Sequence, residues 1–80
     1  MQKIEKLFGR AVRNRRESLG LSQEAFADRA GIHRTYVSSI ELGKVGVSIG
    51  IAFQLSQALG LPLSVLFADV EADARPKRRS

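Results

Sequence analysis

The stretch from Leu21 to Gly43, LSQEAFADRAGIHRTYVSSIELG, leaves little choice of local structure. Ser22 is a strong N-cap, since its hydroxyl can accept a free backbone N–H of a first helical turn. Gln23 and Glu24 follow it, and Ala25, Phe26, Ala27 and Ala30 put small or apolar groups on one side. Gly31 ends this helix, because glycine enters the left-handed conformation on which helices commonly terminate. A second helix starts near His33, carries Val37 and Ile40 inward at i,i+3 spacing and stops at Gly43. The stretch therefore predicts two short helices held at a fixed angle by a tight turn. Arg34, Thr35, Tyr36, Ser38 and Ser39 lie between the inward positions of the second helix, and all carry hydrogen-bonding groups. A short helix with such an outer face, braced by another, suits the major groove of duplex DNA.

The chain around this stretch is 80 residues long, enough for one small domain. It has no cysteine, so neither a disulfide framework nor a thiolate metal site is expected, and its one histidine cannot build a metal cluster. The N-terminus, MQKIEKLFGR, lacks the apolar run of a signal peptide, and a cytoplasmic location is expected. Residues 1–20 hold Lys3, Lys6, Arg10, Arg13, Arg15 and Arg16, with Ile4, Leu7, Phe8, Ala11 and Val12 at helical spacing. This is an amphipathic helix stopped by Gly20. Membrane-surface anchoring is the competing reading of a basic amphipathic helix. It is set aside because a short domain needs this apolar stripe for its core.

The net charge of +5 favours a polyanionic partner. The central stretch is nearly balanced, with Arg29, Arg34 and Lys44 against Glu24, Asp28 and Glu41. Sequence reading there must come from a few placed side chains. Arg34 can make a bidentate contact to guanine, and Thr35 can meet a thymine methyl or hydrogen-bond a base edge. Ser38 and Ser39 are short and reach bases only from deep in the groove. Tyr36 has two readings, an aromatic packed between helices and a hydroxyl on a phosphate, and one side chain can do both. His33 reads first as a helix-entry residue and second as a backbone contact. Lys44, just past Gly43, is expected to face phosphate and to add affinity without sequence information.

Ser48 to Ala68, SIGIAFQLSQALGLPLSVLFA, contains no charged residue. Polar residues and the Gly60–Pro62 break argue against a membrane span and divide it into two helices. The first is capped by Ser48 and runs to about Leu59; a short one follows from about Pro62. Ile49, Ala52, Leu55, Ser56 and Leu59 are expected to face the core. Ile51, Phe53, Leu63, Val65, Leu66 and Phe67 are then more apolar surface than so small a domain can hold, and they predict a homodimer interface. From residue 69 onward DVEADARPKRRS reads as a flexible charged tail, so the domain is expected to span 1–68 and the tail 69–80.

No glycine-rich phosphate loop, HExxH or nucleophile elbow occurs, and Glu24 with Asp28 is an ordinary surface pair. No enzyme, metal or cofactor is expected.

The chain resembles the lambda repressor/Cro (XRE) helix-turn-helix family. Ser22-Gln23, Ala27, Ala30-Gly31, Tyr36-Val37-Ser38, Ile40-Glu41 and Gly43 carry the resemblance, which extends from about Phe8 to Phe67. Within that family the length and the phrase HRTYVSSIELG are most similar to restriction–modification controller proteins. The resemblance implies an all-α domain of four or five helices and a structural ion pair between Arg16 and Glu41. By register with the family, Arg34, Thr35 and Ser39 are base readers, Ser38 is a lesser one, and Gln23 rests on a phosphate. It further implies a homodimer on an inverted-repeat operator in double-stranded DNA, regulating its own gene and an endonuclease gene, with RNA polymerase as a partner where binding is upstream. A phage-type repressor, an antitoxin-like autoregulator and a helical protein-interaction module are the alternatives.

Overall fold

A computed structural model describes residues 3–75, which form five α-helices: α1 (Ile4–Ser18), α2 (Gln23–Ala30), α3 (Arg34–Glu41), α4 (Ile49–Ala58) and α5 (Leu63–Ala74). The fold is all-α. The helix starts follow the expected chemistry: the Ser22 hydroxyl accepts from Ala25 N–H at 3.0 Å, and the Ser48 hydroxyl from Ile51 N–H at 3.1 Å. Gly31 closes α2 in the left-handed conformation with φ 73°, and Ile32 N–H donates back to the Ala27 carbonyl.

Each helix contributes to one core. Leu7, Phe8, Ala11 and Val12 come from α1, Phe26, Ala27 and Ala30 from α2, and Val37 and Ile40 from α3. Ala52, Leu55 and Ala58 come from α4, Leu59 from its C-cap, and Leu66 and Val70 from α5. α1 packs on both α3 and α5, and α2 packs on α3 and α4. α3 is thereby held from two sides. Two polar groups tie the α2 and α4 ends together, with Gln54 Nε2 donating to the Ala30 carbonyl at 3.1 Å and Arg29 Nη1 to the Ala58 carbonyl at 3.4 Å. α4 and α5 meet at an angle of 102°, and among the described residues no single helix is long and apolar enough to cross a membrane.

Five apolar residues lie elsewhere than expected. Ile4 and Ile49 are 58% and 77% exposed and do not belong to the core. Ile4 is the first residue of α1 and Ile49 the first of α4, where no neighbouring helix covers them. Leu66, expected on a dimer surface, is fully buried, and Ile51 and Leu63 are half-buried against the same core. Leu66 and Val70 lie four residues apart on α5, so both point into the core.

That spacing also overturns the expected tail boundary. α5 continues through Ala74, and Asp69 and Asp73 face the basic side of α1. Arg15 Nε and Nη2 donate to Asp69 at 2.6 and 3.0 Å, and Arg10 Nη1 donates to Asp73 at 3.0 Å. The acids that read as solvated charge are the polar edge of an amphipathic helix. Residues 76–80 of the expected tail lie outside the described residues.

The hydrogen bond from Arg15 holds the Asp69 carboxyl below its ordinary value, against a smaller effect of burial. A depressed folded pKa stabilises the fold above the unfolded carboxylate value of about 3.9 and ceases to do so as pH falls through the folded value. Asp69→Asn is therefore expected to lower thermal stability slightly at pH 7, less at high salt. The gap to the wild type should close as pH drops below about 3.9, as thermal melts across pH would register.

Candidate nucleic-acid interface

The outer face of α3 is set by the inward pull of Val37 and Ile40, each 1% exposed. At about 100° per residue, Thr35, Ser38 and Ser39 fall roughly opposite them, with Arg34 and Tyr36 on the flanks. Arg34 and Thr35 are exposed, while Ser38 and Ser39 are half-buried. Tyr36 is half-buried and packed against the core, so its ring serves the fold whatever its hydroxyl meets. His33 is the N-cap residue of α3, but its side chain makes no capping bond and stays exposed. Helix entry there rests on backbone geometry alone.

Leu42 belongs to the same outward face and was not singled out from the sequence. It lies two turns beyond Thr35, keeps right-handed helical geometry as the C-cap and is 52% exposed. Counting the helical period past the last inward residue could have found it. Gly43 follows with φ 73° and turns the chain away, leaving Lys44 exposed at the end of the helix. Gly43 also lies against Lys6, since an added Cβ would come within 2.8 Å of the Lys6 Cα. Two exposed lysines, one on α1 and one after α3, thus bracket this end of the face.

The basic character of α1 is mostly spent within the fold. Arg10, Arg13, Arg15 and Arg16 each pair with a carboxylate, those of Asp73, Glu17, Asp69 and Glu41. The positive charge presented beside α3 comes from Arg34, Lys44 and Lys6 instead, a distribution that composition could not give.

Behind the face lies a buried ionic junction. Arg16 donates through Nε to Glu41 Oε2 at 2.7 Å and through Nη2 to Oε1 at 3.0 Å, while its Nη1 reaches the Leu21 carbonyl at 2.7 Å. The two side chains are 10% and 3% exposed, so this is no solvated surface pair. Hydrogen bonding to Glu41 raises the Arg16 pKa above its ordinary value against the opposing effect of burial. The third donor to this carboxylate is Gln23, whose Nε2 lies 3.0 Å from Glu41 Oε1. The Gln23 side chain, expected on a phosphate, therefore already commits one amide hydrogen inside the protein. One junction connects α1, the turn after it, the start of α2 and the end of α3.

The sequence comparison decides what this geometry belongs to: residues 12–66 match the helix-turn-helix family model. The chain belongs to the lambda repressor/Cro-like helix-turn-helix family. Its curated relatives include Control protein C.MunI of Mycoplasma sp, 43% identical over 74 residues, which are 91% of this chain and all of that protein. Among solved structures, the restriction-modification controller protein C.AhdI from Aeromonas hydrophila superposes with a TM-score of 0.76 at 36% identity. The match covers 79% of this chain and 96% of that one. The clp gene regulator ClgR from C. glutamicum reaches a TM-score of 0.90 over 96% of this chain and 100% of that one, at 19% identity, a likeness of fold alone. As a member of this family the protein is a DNA-binding transcription regulator, and controller proteins are among its relatives.

Proposed function

We propose that the protein is a cytoplasmic restriction–modification controller that binds an inverted-repeat operator as a homodimer and regulates its own gene together with an endonuclease gene. The observation that carries the DNA-reading part is the outward face of α3, where exposed Arg34 and Thr35 and half-buried Ser38 and Ser39 stand opposite a fully packed inner face. The full-length similarity to C.MunI supports the controller assignment.

In this reading Arg34, Thr35 and Ser39 contact base edges, with Ser38 a lesser reader. Gln23, Lys44, Tyr36 and His33 meet the sugar–phosphate backbone, and Lys6 joins Lys44 there. Symmetry then puts two such helices in successive major grooves about 34 Å apart. Binding over a promoter represses, and binding upstream of one brings the dimer to RNA polymerase. The dimer surface is redrawn from the exposed apolar side chains. Phe53, Val65 and Phe67 are kept, Ile4 and Ile49, which line one groove with Phe67, are added, and the buried Leu66 and the half-buried Ile51 and Leu63 are dropped. Ile4 and Phe67 border a shared apolar groove, and the Phe67 ring lies 6.3 Å from that of Phe8. Burial of such a patch by a second copy removes apolar area that a monomer leaves in water.

Titration of the protein into its own upstream DNA and into scrambled DNA, at two salt concentrations, tests the reading. Strong preference for the upstream DNA is expected, and equal weak binding to both would overturn the self-regulating controller. In the same assay Arg34→Ala should cost about 1–3 kcal/mol of specific binding and relax preference at one base position. Lys44→Ala should weaken all sequences alike and reduce the salt slope by about one. Equal losses on operator and random DNA for Arg34→Ala would remove it from the base readers.

A further inference from the structure

We propose that Glu41, which contributes nothing to the outward face, is a positioning residue for the DNA backbone contact: it fixes the Gln23 amide before DNA arrives. The inference rests on the reading of Gln23 as a backbone contact and adds the device that sets its geometry.

Glu41 comes from the C-terminal end of α3 and Gln23 from the first turn of α2, eighteen residues earlier. The Glu41 side chain is 3% exposed. It is pinned by two bonds from one guanidinium, at 2.7 and 3.0 Å, and that guanidinium is anchored in turn on the Leu21 carbonyl at 2.7 Å. A carboxylate only accepts, so the Gln23 amide must present its N–H side to Glu41 Oε1. This choice fixes which end of the amide is which. One Nε2 hydrogen is used, which restrains the amide and leaves its other hydrogen and its carbonyl oxygen for a further partner.

Two consequences follow. A glutamine left free samples many rotamers and must be ordered when it meets a phosphate, whereas here the ordering is done by the fold. Arg16 also neutralises Glu41, so the amide is held without a net negative charge beside a polyanion that it must approach. The same junction fixes α2 relative to α3, and the backbone contact is therefore set in register with the base-reading face.

A merely structural bond between α2 and α3 would affect stability but leave the affinity effect of Gln23 independent of Glu41. The test is a two-variant cycle in DNA titrations, run well below the melting temperature of each variant. Gln23→Ala should lower affinity for operator and random DNA alike by about three- to tenfold in the wild-type background. In a Glu41→Ala background the same change should cost less than about twofold. Equal penalties in both backgrounds would overturn the proposal. No penalty in the wild type would also overturn it, together with the Gln23 contact. Arg34-dependent, salt-dependent operator binding would in that case still identify a DNA reader.

Should Glu41→Ala leave too little folded protein, side-chain 15N relaxation of the unliganded wild type decides. The Gln23 amide is expected to approach the rigidity of the backbone, with an order parameter near 0.85, while that of exposed Gln57 stays below about 0.6. A Gln23 amide as mobile as that of Gln57 would overturn the proposal.

Discussion

Gly9→Ala is expected to destabilise the protein by about 2–3 kcal/mol, although alanine is the better helix former. Gly9 lies in the middle of α1 with its Cα against the C-terminal end of α3. An added methyl would overlap the Ile40 carbonyl oxygen and sit 2.8 Å from that of Glu41. Both obstacles are backbone, so no side-chain rotation relieves them and the two helices must separate. Removing glycine from a helix interior gains about 1 kcal/mol, while overpacking commonly costs 1–3 kcal/mol and occasionally more. Clash on rigid backbone belongs at or beyond the upper end, and the net remains a loss. Against a total of roughly 4–12 kcal/mol for a chain of this size, that is a large fraction. The misplacement also tilts α3, so DNA affinity should fall even where the variant is folded. Gly50→Ala is the control: its methyl would meet only the Ser48 hydroxyl at 3.8 Å, and a gain of about 0.5 kcal/mol is expected. Paired thermal melts decide the matter, and a Gly9→Ala variant as stable as the wild type would show that α1 and α3 do not pack backbone to backbone.

Arg16→Ala should be at least as severe, with a loss of about 3–5 kcal/mol, because it strands the Glu41 carboxylate in a site where it is 3% exposed. Only Gln23 Nε2 would remain as a partner, and one neutral donor does not offset the desolvation of a full charge. Glu41→Ala is expected to cost less. Arg16 keeps its bond to the Leu21 carbonyl, is the less buried of the two, and already lies 3.9 Å from Glu17. Denaturant titrations of the two variants check this, and an Arg16→Ala variant no less stable than Glu41→Ala would mean that Glu41 finds another cation or reaches water once Arg16 is gone.

Both predictions concern groups that lie away from the outward face of α3, and they mark where sequence alone ran out. Most helix boundaries, the end of α5 excepted, were legible because they are local. A serine hydroxyl caps the N–H groups three residues on, and a glycine past the last inward residue accepts a positive φ that other residues resist, so Ser22, Gly31, Gly43 and Ser48 punctuate the chain before any tertiary contact exists. The inner faces of α2 and α3 were legible from the 3.6-residue period. With Val37 and Ile40 inward, Thr35, Ser38 and Ser39 had to turn outward. Arg16 with Glu41 came from family resemblance; spacing gives no reason to join residues twenty-five apart.

Tertiary structure decided the rest, because each remaining point depends on what lies across a helix pair. Periodicity says which side of a helix is apolar but not how far along its length a neighbour covers it. Ile4 and Ile49 sit at helix starts beyond that cover, and Leu66 sits beneath it. Asp69 and Asp73 have the composition of a solvated tail and became a helix edge only when Arg15 and Arg10 stood opposite them. Gly9 looks like a weak point in a helix until Ile40 and Glu41 are seen against it, and Gln23 looks like a free surface amide until Glu41 takes one of its hydrogens. The amino-acid sequence by itself determined the short capped helices and the polar face that one of them carries. Only packing of α1 against α3 and α5 decided that Arg10, Arg15 and Arg16 are neutralised by carboxylates far along the chain while Arg34 and Lys44 stay exposed, because such pairing depends on distance through space, which a linear pattern does not contain.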